Sequence, residues 1–113
     1  MRPIAIDHFE DLVDDAMDTL PDELLASMEN VAIIVEDGTD PDLLGLYDGV
    51  PLTERGLDYS AVLPDRIFIY RLPICAMCED EDEVRDQVRI TVIHEVAHHF
   101  GIDDDALHEL GWA

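Results

Sequence analysis

The sequence predicts a small α+β domain, a short mixed sheet backed by helices, formed as a single unit over residues 1–113. Three observations lead to this fold class. Apolar periodicity changes along the chain in the order helix, helix, three strands, helix, helix. A chain of 113 residues accommodates one core and leaves little room for a second. Hydrophobic residues make up 48% of the chain and come in periodic runs, which is enough apolar surface to fold.

The first two elements are predicted to be helices. Asp7 opens an amphipathic segment in which acidic residues fill the face opposite the apolar one. Its apolar face consists of Phe9, Leu12, Val13, Ala16, Met17 and Leu20. Pro21 ends this helix and begins a short second one, because proline is favoured in the first turn of a helix. The second helix continues through Leu24, Leu25 and Met28.

Three predicted strands follow. Val31 to Val35 is continuous, apolar and rich in β-branched residues, which is typical of a buried strand. Gly45 to Gly49 predicts a short second strand flanked by glycines. Arg66 to Arg71 supplies the third strand, and Pro73 is expected to end it. Between the second and third strands, Pro51 to Ser60 carries turn residues without periodicity and predicts a loop.

A long helix is predicted near the C-terminus, from about Asp80 to Phe100. The acidic cluster Glu79 to Glu83 lies at its start, where the helix dipole favours negative charge. Gly101 ends the helix, and a last short helix is expected to start at Asp103 or Asp104.

The charge balance is extreme, with 28 acidic residues, 6 basic residues that are all arginine, and a formal net charge of −22 at pH 7. We expect no nucleic-acid ligand, because neutralising phosphates requires cationic patches. The simplest interpretation is a solvated acidic surface, as in salt-adapted proteins or organisms with GC-rich codons. The alternative is a surface that docks a basic partner or mimics a nucleic acid, and no other sequence feature favours it.

No apolar stretch approaches the roughly 20 residues that cross a bilayer, and the N-terminus has neither a basic segment nor an apolar signal core. We therefore expect a soluble, cytoplasmic protein with no membrane interaction. Cys75 and Cys78 agree with a reducing compartment, since two cysteines are too few for a disulfide framework. Small buried thiols are the first interpretation of this pair, and a reversible disulfide or adventitious metal binding is the alternative.

His94, Glu95 and His98 form an HExxH sequence inside the predicted long helix. Residues four apart lie one turn apart and about 40° round the helix axis, so both imidazoles can face one metal ion. Neutral imidazoles suit Zn²⁺, which lowers the pKa of a bound water to about 7, and an adjacent carboxylate can take the proton. The pattern predicts His94 and His98 as zinc ligands and Glu95 as the general base. An ordinary exposed helix turn and a zinc site without catalysis are the alternatives.

A third protein ligand is expected, because two histidines and a water leave a tetrahedral site incomplete. Gly101 can adopt a left-handed conformation that ends the helix and returns the chain toward the metal. Asp104 follows where the returning chain would meet the ion, so it is the predicted third ligand. A helix N-cap is the other interpretation of Asp104, and neighbouring aspartates could fill that role equally. His108 and Glu109 are substitute ligands.

Residues His94 to Asp104 read HExxHxxGxxD and resemble the extended zinc motif of the metzincin metallopeptidases, with aspartate in place of the commoner third histidine. The segments Leu44 to Leu52, Ile67 to Tyr70 and His108 to Trp112 look like the minimal zincin family of small bacterial metallopeptidases. This resemblance covers most of the chain from the first predicted strand onward. It implies a zincin-like domain with a short sheet and an active-site helix, Zn²⁺ on the three ligands named above, and Glu95 as general base.

One departure from the larger metzincins concerns substrate binding. Their methionine turn follows the motif, whereas all four methionines here precede it, and the chain ends nine residues after Asp104. We therefore expect no lower subdomain and a shallow, tolerant substrate site.

The remaining polar candidates have weaker predictions. His99 lies about 100° round the helix from His98 and is expected at the surface or supporting a ligand. His8 is expected to have no chemical role. Hydrolases of this type often need a hydroxyl or imidazole opposite the metal. Tyr47, Tyr59 and Tyr70 are candidates for this role, and core packing is the alternative for each.

Two functions from different classes follow. The first is a zinc-dependent hydrolase, a metallopeptidase whose substrate is a peptide or protein held in extended form by an exposed edge strand near Leu46 or near Ile67. The second is a non-catalytic zinc-binding interaction module whose acidic surface docks a partner protein. A structural zinc needs four protein ligands and gives Glu95 no task, which separates the two hypotheses.

Overall fold

The computed structural model describes residues 2–28, 30–50, 64–102 and 105. Its elements alternate from helices to strands and back to helices, as the fold class predicts. In chain order they are α1 (Ile6–Asp18), α2 (Asp22–Ser27), β1 (Val31–Glu36), β2 (Gly45–Asp48), β3 (Asp65–Tyr70), α3 (Arg71–Ala76) and α4 (Glu81–His99). The predicted loop over Pro51 to Ser60 lies outside the described residues, as does the predicted last helix apart from Asp105.

The three strands form one sheet in the order β1-β3-β2. β1 runs parallel to β3 and β2 runs antiparallel to it, so the predicted mixed sheet is confirmed. β3 is the central strand, with Ile67 paired to Ile33 on one side and to Tyr47 on the other. The suggestion that the strand near Ile67 offers a free edge is therefore wrong, because both of its edges already have partners. Among the described strands, β1 and β2 are the edges.

Helix α4 packs against one face of this sheet and against α1. Alternate residues of β3 point toward the helix, and Ile67 and Ile69 are fully buried beneath it. The amphipathic pattern of α1 is confirmed, since Phe9, Leu12 and Val13 join the same core. Valines at helical spacing fill the buried face of α4: Val84, Val88, Val92 and Val96. The core therefore lies between α1, α4 and the sheet.

The limits of α4 have local causes. The Asp80 side chain caps the helix, because its Oδ1 accepts a hydrogen bond from the backbone N–H of Glu83 at 2.8 Å. The Glu83 carboxylate in turn accepts a hydrogen bond from the backbone N–H of Glu79 at 3.0 Å. At the other end Gly101 has φ +76°, a left-handed conformation that terminates the helix. The predicted start near Asp80 and the glycine stop are both confirmed.

A short helix that the sequence did not reveal follows β3. Pro73 was expected to end the third strand, but the strand ends at Tyr70 and Pro73 lies in the first turn of α3. Proline is tolerated there, because the first N–H groups of a helix have no partner within it. Arg71 holds the start of α3 in place: its Nη1 donates to the carbonyl oxygen of Ile4 at 2.8 Å, and its Nη2 donates to Asp37 at 2.9 Å.

The two cysteines are unbridged and buried, as the first interpretation expects. Burial is the main cause that raises the pKa of the Cys78 thiol, and the nearby Glu83 carboxylate adds to it. Within the described residues, no helix is both long and apolar enough to cross a membrane. The cytoplasmic location stays a prediction.

Candidate metal centre and substrate groove

The HExxH residues lie on the last turns of α4. The His94 and His98 rings have centroids 4.8 Å apart and planes inclined at 72°. The helix repeat alone brings them together, because positions four apart are neighbours on one face. Both rings are partly exposed. Two imidazoles at this spacing can turn one nitrogen each toward a shared cation.

Glu95 lies beside this pair and is only 6% exposed. His98 Nδ1 is 3.1 Å from Glu95 Oε1. An ionised carboxylate can only accept, so Nδ1 donates in this pair and Nε2 of His98 keeps its lone pair. A carboxylate that fixes the tautomer of an imidazole in this way leaves the other ring nitrogen ready to bind a metal.

A groove of about 280 Å³ runs beside these residues, between α4 and the segment that leads into β2. Its lining mixes acidic, apolar and imidazole side chains. The lining residues are Asp42, Leu43, Leu44, Gly45, Gln87, Ile90, Thr91, His94 and Glu95. The catalytic candidate Glu95 and the metal-ligand candidate His94 therefore both face one open groove.

Gly45 sets the distance between β2 and α4. A Cβ atom at this position would lie 2.8 Å from Thr91 Cγ2, 3.1 Å from Glu95 Cγ and 3.1 Å from the carbonyl oxygen of Phe68. Thr91 is held in place, because its hydroxyl donates to the carbonyl oxygen of Gln87 at 2.8 Å. Glycine at this strand position thus lets the edge strand approach the helix directly beside Glu95.

A buried polar cluster lies behind the HExxH face. Asp65 Oδ2 accepts from the Tyr47 hydroxyl at 2.6 Å and lies 2.9 Å from His99 Nδ1. Asp65 is 3% exposed and His99 is 0% exposed, so the expectation of His99 at the surface is wrong. Residue 99 instead points into the core, toward the first residue of β3. We name Tyr47, Asp65 and His99 the buried triad.

Two further features describe the packing of the buried triad. His99 Nε2 is the one buried side-chain nitrogen or oxygen without a hydrogen-bond partner in the part of the chain that the structure describes. Such an atom costs about 1–3 kcal/mol. Gly49 lies directly over Asp65, since a Cβ there would be 2.5 Å from Asp65 Cγ. The sequence contains one hint of this arrangement, namely a second histidine directly after His98.

The tyrosine candidates for a hydroxyl donor separate clearly. The Tyr47 hydroxyl already donates to Asp65. Tyr59 lies outside the described residues. Tyr70 lines a second cavity of about 540 Å³, which shares Leu43 with the groove. Burial raises the pKa of Tyr70 above its usual value of 10.0, and the charges of Glu36 and Glu95 raise it further. Tyr70 is therefore a protonated donor at neutral pH that feels the charge of Glu95.

The candidates for the third ligand, Asp104, His108 and Glu109, all lie outside the described residues. Within the described ranges no three histidine, cysteine or acidic side chains group as a metal site. The part of the donor set that is described fits Zn²⁺, because it offers two imidazoles at chelating distance with a carboxylate beside them. His8 Nε2 contacts the Glu81 carboxylate at the surface.

Comparison with known proteins agrees with this geometry. The model of the zincin-like metallopeptidase family matches residues 28–112. No curated protein matches the chain. A solved structure, a conserved hypothetical protein from Thermus thermophilus, is similar with a TM-score of 0.58 and 22% identity over 95% of this chain and 97% of that one. This likeness shows a shared fold. Because the family model matches most of this chain, the chain belongs to the zincin-like metallopeptidase family.

Proposed function

We propose that the protein is a zinc-dependent metallopeptidase that cleaves peptide bonds at the groove between β2 and α4. The observation that carries this proposal is the placement of two imidazoles one helical turn apart, with the buried Glu95 carboxylate beside them and both His94 and Glu95 lining one groove. His94 and His98 are the proposed zinc ligands, and Asp104 is the proposed third ligand. Membership of the zincin-like family supports zinc as the cofactor.

The proposed chemistry assigns one task to each side chain. Bound zinc supplies a Lewis acid and lowers the pKa of a water to about 7. Glu95 accepts a proton from the attacking water and delivers it to the leaving amine.

The edge strand β2 is the proposed binding surface for an extended peptide. The backbone N–H of Tyr70 donates to the carbonyl oxygen of Leu44 at 2.9 Å, which fixes the alternation of the ladder. Gly45 therefore turns its N–H and C=O groups away from β3. These groups lie along the strand that borders the groove, so a peptide paired with β2 would pass beside His94 and Glu95.

The test pairs a metal measurement with a cleavage measurement. Wild-type protein and Glu95→Gln are compared for bound zinc by elemental analysis and for cleavage of a broad peptide library. Glutamine keeps the size of the side chain and cannot accept the proton, so we expect equal zinc and activity lowered by at least about 100-fold. Asp15→Asn is the matched control, because Asp15 is an exposed carboxylate of α1 that pairs with Arg85, outside the residues that line the groove, and should leave activity unchanged. Equal cleavage by wild type and Glu95→Gln, or cleavage by neither, would refute the proposal.

A second candidate is a zinc-binding interaction module without catalysis. One observation favours it: Glu95 Oε1 is engaged by His98 Nδ1, which is also how a carboxylate supports a structural metal site. In that case Glu95→Gln would weaken zinc binding and wild-type protein would cleave no peptide. The acidic surface would then bind a basic partner protein. The zinc and cleavage measurements described above distinguish this function from the peptidase.

A further inference from the structure

The buried triad contains a histidine that the proposed mechanism does not use. We propose that His99 is a positioning residue for the metal site: its hydrogen bond to Asp65 fixes the rotation of the end of α4 and so aims His98 at the metal. This inference rests on the zinc site of the proposed function and not on the peptidase activity. It concerns how the fold holds the ligand, through a residue that does not itself contact the metal.

One carboxylate oxygen joins three elements of the fold. Asp65 Oδ2, at the start of β3, receives the Tyr47 hydroxyl from β2 and lies at hydrogen-bond distance from His99 Nδ1 on α4. The contact sits at the C-terminal end of the helix, one residue beyond His98. A rotation of this end of α4 would break the bond between His99 and Asp65. The triad therefore restrains the helix about its own axis, in addition to holding it on the sheet.

The restraint at His99 differs from the one that His98 already has. His98 Nδ1 lies 3.1 Å from Glu95 Oε1, which orients the ring within α4. Because both residues belong to α4, this contact moves with the helix and does not fix the rotation of the helix against the sheet. His99 is fully buried, and its ring makes edge contacts with Phe100 at 5.2 Å and with Tyr47 at 5.9 Å between centroids. Adjacent helical residues are fixed about 100° apart, so anchoring His99 also fixes the direction of the Cα–Cβ bond of His98.

The contribution of His99 to folding stability does not by itself explain why position 99 is a histidine. A fully buried apolar ring would fill the same space without burying two ring nitrogens. His99 Nε2 has no partner among the described residues, so histidine at this site carries a desolvation cost. Its hydrogen bond to Asp65 supplies something that an apolar ring cannot, namely a fixed direction. Orientation of the metal helix therefore explains this residue better than packing does.

The test measures metal binding on the full chain. The metal-free protein is titrated with Co²⁺, whose visible absorption reports the ligand geometry, and the zinc dissociation constant is measured by competition with a chelating indicator. His99→Phe removes the hydrogen bond and keeps a ring. His99→Asn keeps a donor at the place of Nδ1. Val92→Ala is the matched control, since Val92 is fully buried in α4 and lies outside the triad.

We expect His99→Phe to weaken zinc binding about 10-fold and to change the Co²⁺ spectrum, and His99→Asn to keep the wild-type zinc constant and spectrum. Val92→Ala should lower the unfolding temperature and leave both metal readouts unchanged. If His99→Phe fails to fold, Tyr47→Phe carries the test, with an expected weakening of about 3-fold.

Three results would overturn the inference. The first is a zinc dissociation constant that is unchanged in the folded triad variant. The second is weaker zinc binding in both that variant and Val92→Ala, in proportion to their lower unfolding temperatures, and the third is no zinc binding by wild type. The last result would also overturn the proposed function. Zinc binding with the expected pattern but without peptide cleavage would refute only the peptidase activity.

Discussion

The close approach of β2 to α4 makes Gly45→Ala the sharpest perturbation of the groove. The added Cβ would lie 2.8 Å from Thr91 Cγ2. Carbon atoms prefer contacts of about 3.5–4.0 Å, so the strand and the helix must separate by roughly 0.7 Å or more. Thr91 cannot turn away freely, because its hydroxyl donates to the Gln87 carbonyl oxygen. The separation would occur beside Glu95, whose Cγ would lie 3.1 Å from the new atom.

We expect Gly45→Ala to lower the free energy of unfolding by about 1–3 kcal/mol, the usual cost of overpacking. The effect on cleavage should be larger than this loss suggests, because a misplacement near 1 Å can cost about 100-fold in rate. We expect kcat/KM to fall by roughly 10- to 100-fold, and zinc binding to change little since both histidines stay on one helix. Urea unfolding and peptide hydrolysis measure the two effects.

A second substitution checks the assigned cause. Thr91→Ser removes Cγ2, the atom in the closest contact, and keeps the hydroxyl that donates to Gln87. The double variant should recover at least about half of the lost unfolding free energy, because the two sites are in direct contact and their effects are not additive. The reasoning fails if Gly45→Ala matches wild type in stability and rate, or if Thr91→Ser restores nothing.

Three other predictions follow from the same structure. Zinc at about 100 times its dissociation constant should raise the free energy of unfolding by about 2.7 kcal/mol over the metal-free protein, and equal urea midpoints would contradict this. The pKa of Tyr70 is raised in the folded protein, so above pH 10.0 the unfolded chain loses this proton more readily than the folded one. The free energy of unfolding should therefore fall as the pH rises above 10.0, and it should fall less steeply in Tyr70→Phe. Urea melts across that pH range measure both. Cys78 contributes a loss of the same sign above its usual pKa of 9.0. N-methylation of one backbone amide that pairs with β2 should weaken a competing peptide by roughly 2- to 12-fold, and full potency at every position would argue against strand pairing.

Much of the candidate metal centre can be predicted from sequence because its geometry is local. His94 and His98 need only a regular helix to come together, and the caps at Asp80 and Gly101 define that helix within a few residues of each end. The mixed sheet is also predictable in outline, since three short strands separated by glycine and proline segments have few arrangements. The strand order is not, which is why Ile67 could be mistaken for an edge residue.

The buried triad escapes prediction for a physical reason. Asp65 and His99 are 34 positions apart, and each has an ordinary local interpretation, as a strand start and as a surface histidine. Only the packing of α4 on β3 places them together. Pro73 shows a related limit, because proline ends a strand and starts a helix equally well, and the choice depends on the anchoring of Arg71 by residues far away in the chain.

Helix α1 has a consequence for any attempt to isolate the region that the family model matches. The family match begins at residue 28, whereas α1 ends at Asp18. Phe9 and Leu12 are nevertheless at most 2% exposed, and α1 packs against α4 as part of the core. A fragment starting at residue 28 would lack α1 and would expose to water the core residues that this helix covers. Such a fragment should self-associate through its exposed apolar surface. Helix α1 therefore keeps the matched region soluble by covering part of its core.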